Sequence, residues 1–186
     1  MAEILKPYRM IKDFVSGKDI PEVGAEANRQ TVERMLIQDK GFTREDIEVD
    51  TGIAFEVAGE RYASTVDLVV SVDGGANRCM VFKCVPGSLE SCEREVVAAA
   101  RLVDERYQIP FAVVSDGVNA VVFDTNTGKK IGDGLAAIPN KSAARKMMAS
   151  LSLQPYPAQR IQRERLIFRT YNCEYVNVAK NLPPRK

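Results

Sequence analysis

The run STVDLVVSV, residues 64–72, passes through the turn DGGANR into CMVFKC, residues 79–84. Two apolar strands around a Gly-Gly turn read as a β-hairpin and commit this stretch to a sheet. Side chains alternate along a strand, so Val66, Leu68, Val70 and Val72 share one face. Thr65, Asp67, Val69 and Ser71 share the other, which is more polar. Acids are depleted in strands, so Asp67 calls for an ion-pair partner, such as Arg61 or a lysine on a neighbouring strand, or for a function. The returning strand offers a lysine, Lys83, between Phe82 and Cys84. Read structurally, Lys83 is a strand end whose ammonium snorkels out of an apolar layer.

The rest of the pattern surrounds this hairpin with helices and more strands. Residues 20–40 read as a helix with Pro21 in its first turn and Gly41 as its stop. Glu26, Arg29 and Glu33, at three- and four-residue spacing, read as a solvated, salt-bridged face of that helix. Strands are expected near 45–57, 63–72, 79–85, 110–115 and 119–124. A second helix falls near 90–106, capped by Ser88 or Ser91, with Val96, Ala99, Ala100 and Val103 on its inner face. A third starts at Pro139-Asn140 and runs to about residue 153. After the linker LQPYPAQ comes a basic helix or extended arm, then a tail, NLPPRK, that reads as disordered. The order predicts an α/β fold with a mixed central sheet flanked by helices. It divides the chain into an N-terminal packing arm (1–20), an α/β core (21–135) and C-terminal helices and arm (136–186). Ile4, Leu5, Tyr8, Ile11, Phe14 and Val15 make the arm's apolar stripe, interrupted by Pro7.

Composition narrows the chemistry. The chain has no histidine, which excludes histidine-based nucleophilic triads, general bases and zinc ligation. Cys79, Cys84, Cys92 and Cys173 show no C-x-x-C spacing, so they read as reduced thiols of a cytoplasmic protein rather than a zinc site. With 26 basic and 25 acidic residues the net charge is +1, so no global basic field announces a nucleic-acid binder. No secretory signal is visible, and no apolar run is long enough to span a membrane.

GAEANRQTVERMLIQDKGF, STVDLVVSV, MVFKCVPGS and IPFAVVSDGVNAVVFD together resemble the N-terminal domain of type I restriction enzyme R subunits. That domain belongs to the PD-(D/E)xK nuclease superfamily, and the resemblance covers about residues 20–135. It implies a restriction-endonuclease-like fold and a metal-dependent site. The family's first-helix glutamate matches Glu26 and its metal-binding aspartate matches Asp67. When VPG is matched to the family's proline-glycine, its E-x-K pair falls on Phe82 and Cys84, and this sequence departs from the pattern at both. Two carboxylates hold Mg²⁺ with its waters while the lysine stabilises phosphorane charge; phenylalanine and a thiol do neither. Lys83 lies between the two positions. If the hairpin sets Asp67 against residue 84, Lys83 points away from it. If a bulge near Val85-Pro86 shifts the pairing to residue 83, the two meet, with Val81 at the second carboxylate position.

The leading reading is therefore a nuclease-fold domain with a degenerate site, in which Glu26, Asp67 and Lys83 are relict catalytic positions and no cofactor is expected. Its partners would be DNA or other restriction-system subunits. Lys129, Lys130, Lys141, Arg145, Lys146, Arg160, Arg163 and Arg165 would supply phosphate contacts, or else a solvated surface. The alternative is an active Mg²⁺-dependent endonuclease, with Asp67 and Glu26 as metal ligands. A third is a structural module that forms homo-oligomers through Leu166, Ile167, Phe168, Tyr171 and Tyr175. The degenerate reading expects no DNA nicking and little change in stability from Asp67→Ala. It also expects weak revival of cleavage by Phe82→Glu with Cys84→Lys.

Overall fold

The apolar alternation becomes one six-stranded sheet in the computed structural model, which describes residues 8–172. The start of the expected N-terminal arm, Cys173, Tyr175 and the tail NLPPRK lie outside the described residues. Two short strands, β1 (Met10–Lys12) and β2 (Asp19–Pro21), pair with each other and precede α1 (Glu26–Gln38). The main sheet comprises β3 (Ile47–Val57), β4 (Glu60–Val72), β5 (Asn77–Cys84), β6 (Phe111–Ser115), β7 (Ala120–Asp124) and β8 (Lys129–Asp133), adjacent in that order. Helix α2 (Glu93–Leu102) crosses from β5 to β6; α3 (Lys141–Ser150) and α4 (Ile161–Tyr171) follow the sheet. Every pairing is antiparallel except β5 with β6, the pair joined by α2. A parallel pair needs a long crossover, and the helix supplies it.

β5 and β6 lie in the middle of the sheet and read as near-continuous apolar runs. Met80, Val81, Phe82, Ala112, Val113 and Val114 are fully buried. That is what a strand covered on both faces requires. Consecutive side chains at the end of β5 show which helix covers which face. Lys83 meets Glu95 of α2, whereas the Cys84 thiol lies in the field of Arg29 and Glu33 of α1. The two helices therefore flank opposite faces.

Three expectations change. Pro21 ends β2 rather than opening a helix; Gly24 at φ 56° then turns the chain, and α1 starts after Ala25. Neither Ser88 nor Ser91 caps α2: Ser88 Oγ hydrogen-bonds Glu90, and Ser91 Oγ donates to the Ser88 carbonyl. β8 was not foreseen, because KKIGD is a largely exposed edge strand without apolar alternation. Asn140 does cap α3, its side chain accepting from the Ala143 N–H at 2.8 Å.

The largest correction concerns Glu26, Arg29 and Glu33, which are buried rather than solvated. The β1–β2 hairpin covers them: Phe14 N–H donates to Gln30 Oε1 at 2.8 Å and Val15 N–H to Glu33 Oε2 at 3.2 Å. Arg29 gathers Asp13 at 3.1 Å, Glu26 at 2.6 Å and Glu33 at 2.9 Å. The Phe14 ring lies 5.3 Å from the Arg34 guanidinium and 5.4 Å from that of Arg44. Burial pushes the Glu33 carboxyl from its ordinary 4.5 up to about 8, against the pull of Arg29. The native state then holds more protons than the unfolded chain between those two values, so stability falls as pH rises across that window. Glu33→Gln is expected to flatten that fall, measured by urea melts at pH 5 and pH 8. A slope that the substitution leaves unchanged removes Glu33 as its source.

The C-terminal helix is also satisfied within the chain. Phe168 is 1% exposed and meets the rings of Phe55 and Tyr62 edge-on at 6.0 and 6.2 Å. Of the apolar residues expected to seek a neighbouring copy, only Leu166 is strongly exposed among those described.

Candidate functional site

The site depends on how β4 and β5 are registered. Near the turn, Val72 faces Asn77 and Ser71 faces Arg78; continued without interruption, that ladder would set Asp67 against Phe82. The ladder slips between Val70 and Ser71, leaving Cys79 unpaired as an extra residue on β5, and resumes as Val70 with Met80 and Leu68 with Phe82. One step further along, Asp67 stands across from Lys83. The bulge is thus at Cys79, not near Val85-Pro86. The Cys79 thiol donates to the Val70 carbonyl at 3.3 Å, and burial pushes its pKa up to about 12.

With this register Lys83 Nζ lies 3.9 Å from Asp67 Oδ2. A second carboxylate reaches the same ammonium: Glu95 Oε1, from α2, at 2.9 Å. Burial alone would depress the Lys83 pKa, but Asp67 and Glu95 outweigh it and hold the amine charged. Asp67 is fixed by a second bond, accepting the Cys84 backbone N–H at 2.7 Å. Phe82 points to the other side of the sheet and is fully buried. Burial, with Asp67 nearby, raises the Cys84 thiol well above the usual range. Neither Phe82 nor Cys84 therefore stands where an E-x-K pair would work, and Phe82→Glu would bury a carboxylate in the core instead of reviving a site.

A cleft of about 180 Å³ opens between the starts of α1 and α2, lined by Ala25, Asp67, Lys83, Cys84, Gly87 and Ser91. Glu95 lies behind Lys83, in a narrower gap shared with Val81, Ala99 and Phe168. Glu26 is in neither lining: its carboxylate is taken by Arg29 and by Gln30 Nε2 at 3.1 Å. The structure thus brings Asp67 and Lys83 together, adds Glu95, and assigns Glu26 to the cluster under the β1–β2 hairpin. Among the described residues no group of three or more His, Cys, Asp or Glu is arranged to hold a metal.

Glu95 escaped the sequence reading although a signal was present. It lies four residues before Ala99, on the inner face of its helix, where an acid needs a partner. The sequence reading assigns only the apolar Val96, Ala99, Ala100 and Val103 to that face. Several of the basic residues considered for phosphate contact have other partners. Lys141 pairs with buried Asp46 at 2.6 Å, Arg145 with Asp73 at 2.7 Å, Lys130 with Asp133, and Arg165 donates to the Glu56 carbonyl at 3.2 Å. No helix among the described residues is long and apolar enough to cross a membrane.

The mixed six-stranded sheet between helices, with a carboxylate and a lysine meeting on its adjacent central strands, defines a restriction-endonuclease-like α/β domain. The chain belongs to the family described as type I restriction enzyme R protein N terminus (HSDR_N), whose model matches residues 24–139. No curated protein and no solved structure matches the chain. The matched region leaves out β1, β2, α3 and α4.

Proposed function

We propose that this chain is a Mg²⁺-dependent DNA endonuclease domain whose site is Asp67, Glu95 and Lys83, with the second carboxylate supplied by α2 rather than by β5. The observation that carries this reading is Glu95 Oε1 at 2.9 Å from the ammonium that Asp67 also approaches. It answers the chief argument for a degenerate site, which was that no register recovers a second carboxylate.

The donor chemistry fits. Mg²⁺ prefers hard oxygens, takes one or two carboxylates, and keeps water and phosphate oxygens in its other positions. Two carboxylates against one ammonium leave the constellation one negative charge in excess, which suits a cation. Bound there, Mg²⁺ would supply Lewis-acid polarisation of the phosphate and a water of lowered pKa. The chain's own residues do the rest. The Cys84 N–H holds Asp67 in place, and the charged Lys83, open to the cleft, stabilises negative charge developing on a phosphate oxygen. Glu26 serves Arg29 in this reading and is not a ligand. DNA and other restriction-system subunits are the partners that the family suggests.

Plasmid nicking with and without Mg²⁺ tests the proposal. The protein is expected to nick only with the metal, and Asp67→Asn and Glu95→Gln each to lower the rate by about 100-fold or more. No nicking, or an undiminished rate in Glu95→Gln, overturns it. A second reading, a domain that binds nucleic acid or a partner without cleaving, is favoured by one observation: Glu95 is 2% exposed and lies behind Lys83. DNA retention in a gel shift with no nicking under any metal supports that reading.

A further inference from the structure

We infer that α4, which lies outside the family-matched region, is a positioning element of the Asp67–Glu95–Lys83 site, and that Phe168 is its point of contact. The inference rests on the site reading above. Val81 is the residue that, in this register, stands where the strand would carry its second carboxylate. It is apolar and fully buried, and it lines one narrow gap with Asp67, Lys83, Glu95 and Phe168. The chain has an apolar wall at the strand position and takes its acid from α2 instead. Where Glu95 points therefore depends on how α2 is held.

Two polar ties bind α2 to α4. Arg101 Nη1 meets Glu164 Oε1 at 2.8 Å, while Arg101 Nε donates to the Thr125 carbonyl at 3.0 Å. The other Glu164 oxygen accepts the Tyr156 hydroxyl at 2.9 Å. In the first turn of α2, Arg94 donates to the Tyr171 hydroxyl at 2.7 Å and lies 5.3 Å from its ring centroid. Between these ties Phe168 reaches inward. The small side chain of Ala99 leaves it room, and Phe55 and Tyr62 of the β3–β4 hairpin meet it edge-on. α4 is thus clamped to α2 on one side and to the hairpin that carries Asp67 on the other. The ring also closes the Glu95 side of the Lys83–Glu95 pair, where the side chain is 3% exposed, and an ion pair in a drier setting is stronger and better ordered than a wet one.

The test uses the full chain and the chemical accessibility of one amine. Native protein is treated briefly with acetic anhydride, and acetylation of Lys83 is measured by peptide mass spectrometry against exposed Lys129. Phe168→Ala is expected to raise Lys83 labelling roughly tenfold, and Phe168→Leu, which refills most of the gap, to restore protection. Val122→Ala, in the buried part of β7, serves as a control for general loosening and is expected to leave Lys83 unchanged. Should Phe168→Ala not fold, Glu164→Gln tests the same clamp and is expected to raise labelling in the same direction. Unchanged labelling in the variant measured, or an equal rise in Val122→Ala, overturns the inference. The amine reports whether or not the protein cleaves DNA. A wild type that does not nick therefore counts against the endonuclease reading and leaves this measurement decisive for the clamp.

Discussion

Arg29→Met is expected to lower stability by about 3–5 kcal/mol, because it removes the cation from a buried cluster of three carboxylates. Arg29 is the shared partner of Asp13, Glu26 and Glu33, whose side chains are 1%, 6% and 0% exposed. Methionine fills much of the same volume, so the loss reflects uncompensated charge rather than a cavity. Glu33 limits the damage, since burial pushes its carboxyl up to about 8 and it is largely protonated at neutral pH. The carboxylates left without their cation take up protons as the pH falls, so the deficit should shrink when the melt is repeated near pH 5. Thermal unfolding reads the effect directly, at about 2–4 °C per kcal/mol for a chain of this size. A fall of less than about 1 kcal/mol would mean that the cluster contributes little to the fold.

Lys83→Met carries the second large effect. It strips Asp67 and Glu95 of their shared ammonium in a region where their side chains are only 9% and 3% exposed. The expected loss is about 3 kcal/mol, since breaking a buried pair leaves charges that neither water nor protein compensates. Adding Glu95→Gln to Lys83→Met should recover part of the loss, because the amide needs no cation. A double-mutant cycle in urea isolates that coupling, expected to be at least about 1 kcal/mol. Strictly additive losses would show that the two groups do not interact in solution. Asp67→Ala, by contrast, cannot be neutral as the sequence suggested. It removes the acceptor of the buried Cys84 N–H, and an unpaired buried donor costs about 1–3 kcal/mol.

These effects mark where sequence pattern carries information and where it stops. The five expected strands each formed within a few residues of their predicted spans, because period-two alternation and continuous apolar runs are local signals. The Glu26–Arg29–Glu33 stripe was misread because helical spacing identifies a face without saying what covers it. The cover here comes from residues 13–15, in a short hairpin with no strong signal of its own. Glu95 could have been found, as an acid on the inner face of a helix. The β4–β5 register could not. In CMVF every side chain is apolar, so nothing polar marks which residue is the extra one. The turn alone would set Asp67 against Phe82, and matching the family's proline-glycine would set it against Cys84. The observed ladder takes neither course.

The extra residue at Cys79 makes the meeting of Asp67 and Lys83 a matter of parity. Were β5 to lose the bulge with no change in residue count, every side chain beyond it would change face, Lys83 would turn toward α1, and Phe82 would stand across from Asp67. Deletion of the Cys79 codon would instead remove the bulge and its residue together, and the uninterrupted ladder would still set Asp67 against Lys83. Loss of another codon from that interval with the bulge retained would bring Cys84 across from Asp67. Comparison of related genes by residue count alone would therefore mislead, and in this fold the inherited quantity to follow is the number of ladder steps between the aspartate and the lysine, residues less bulges.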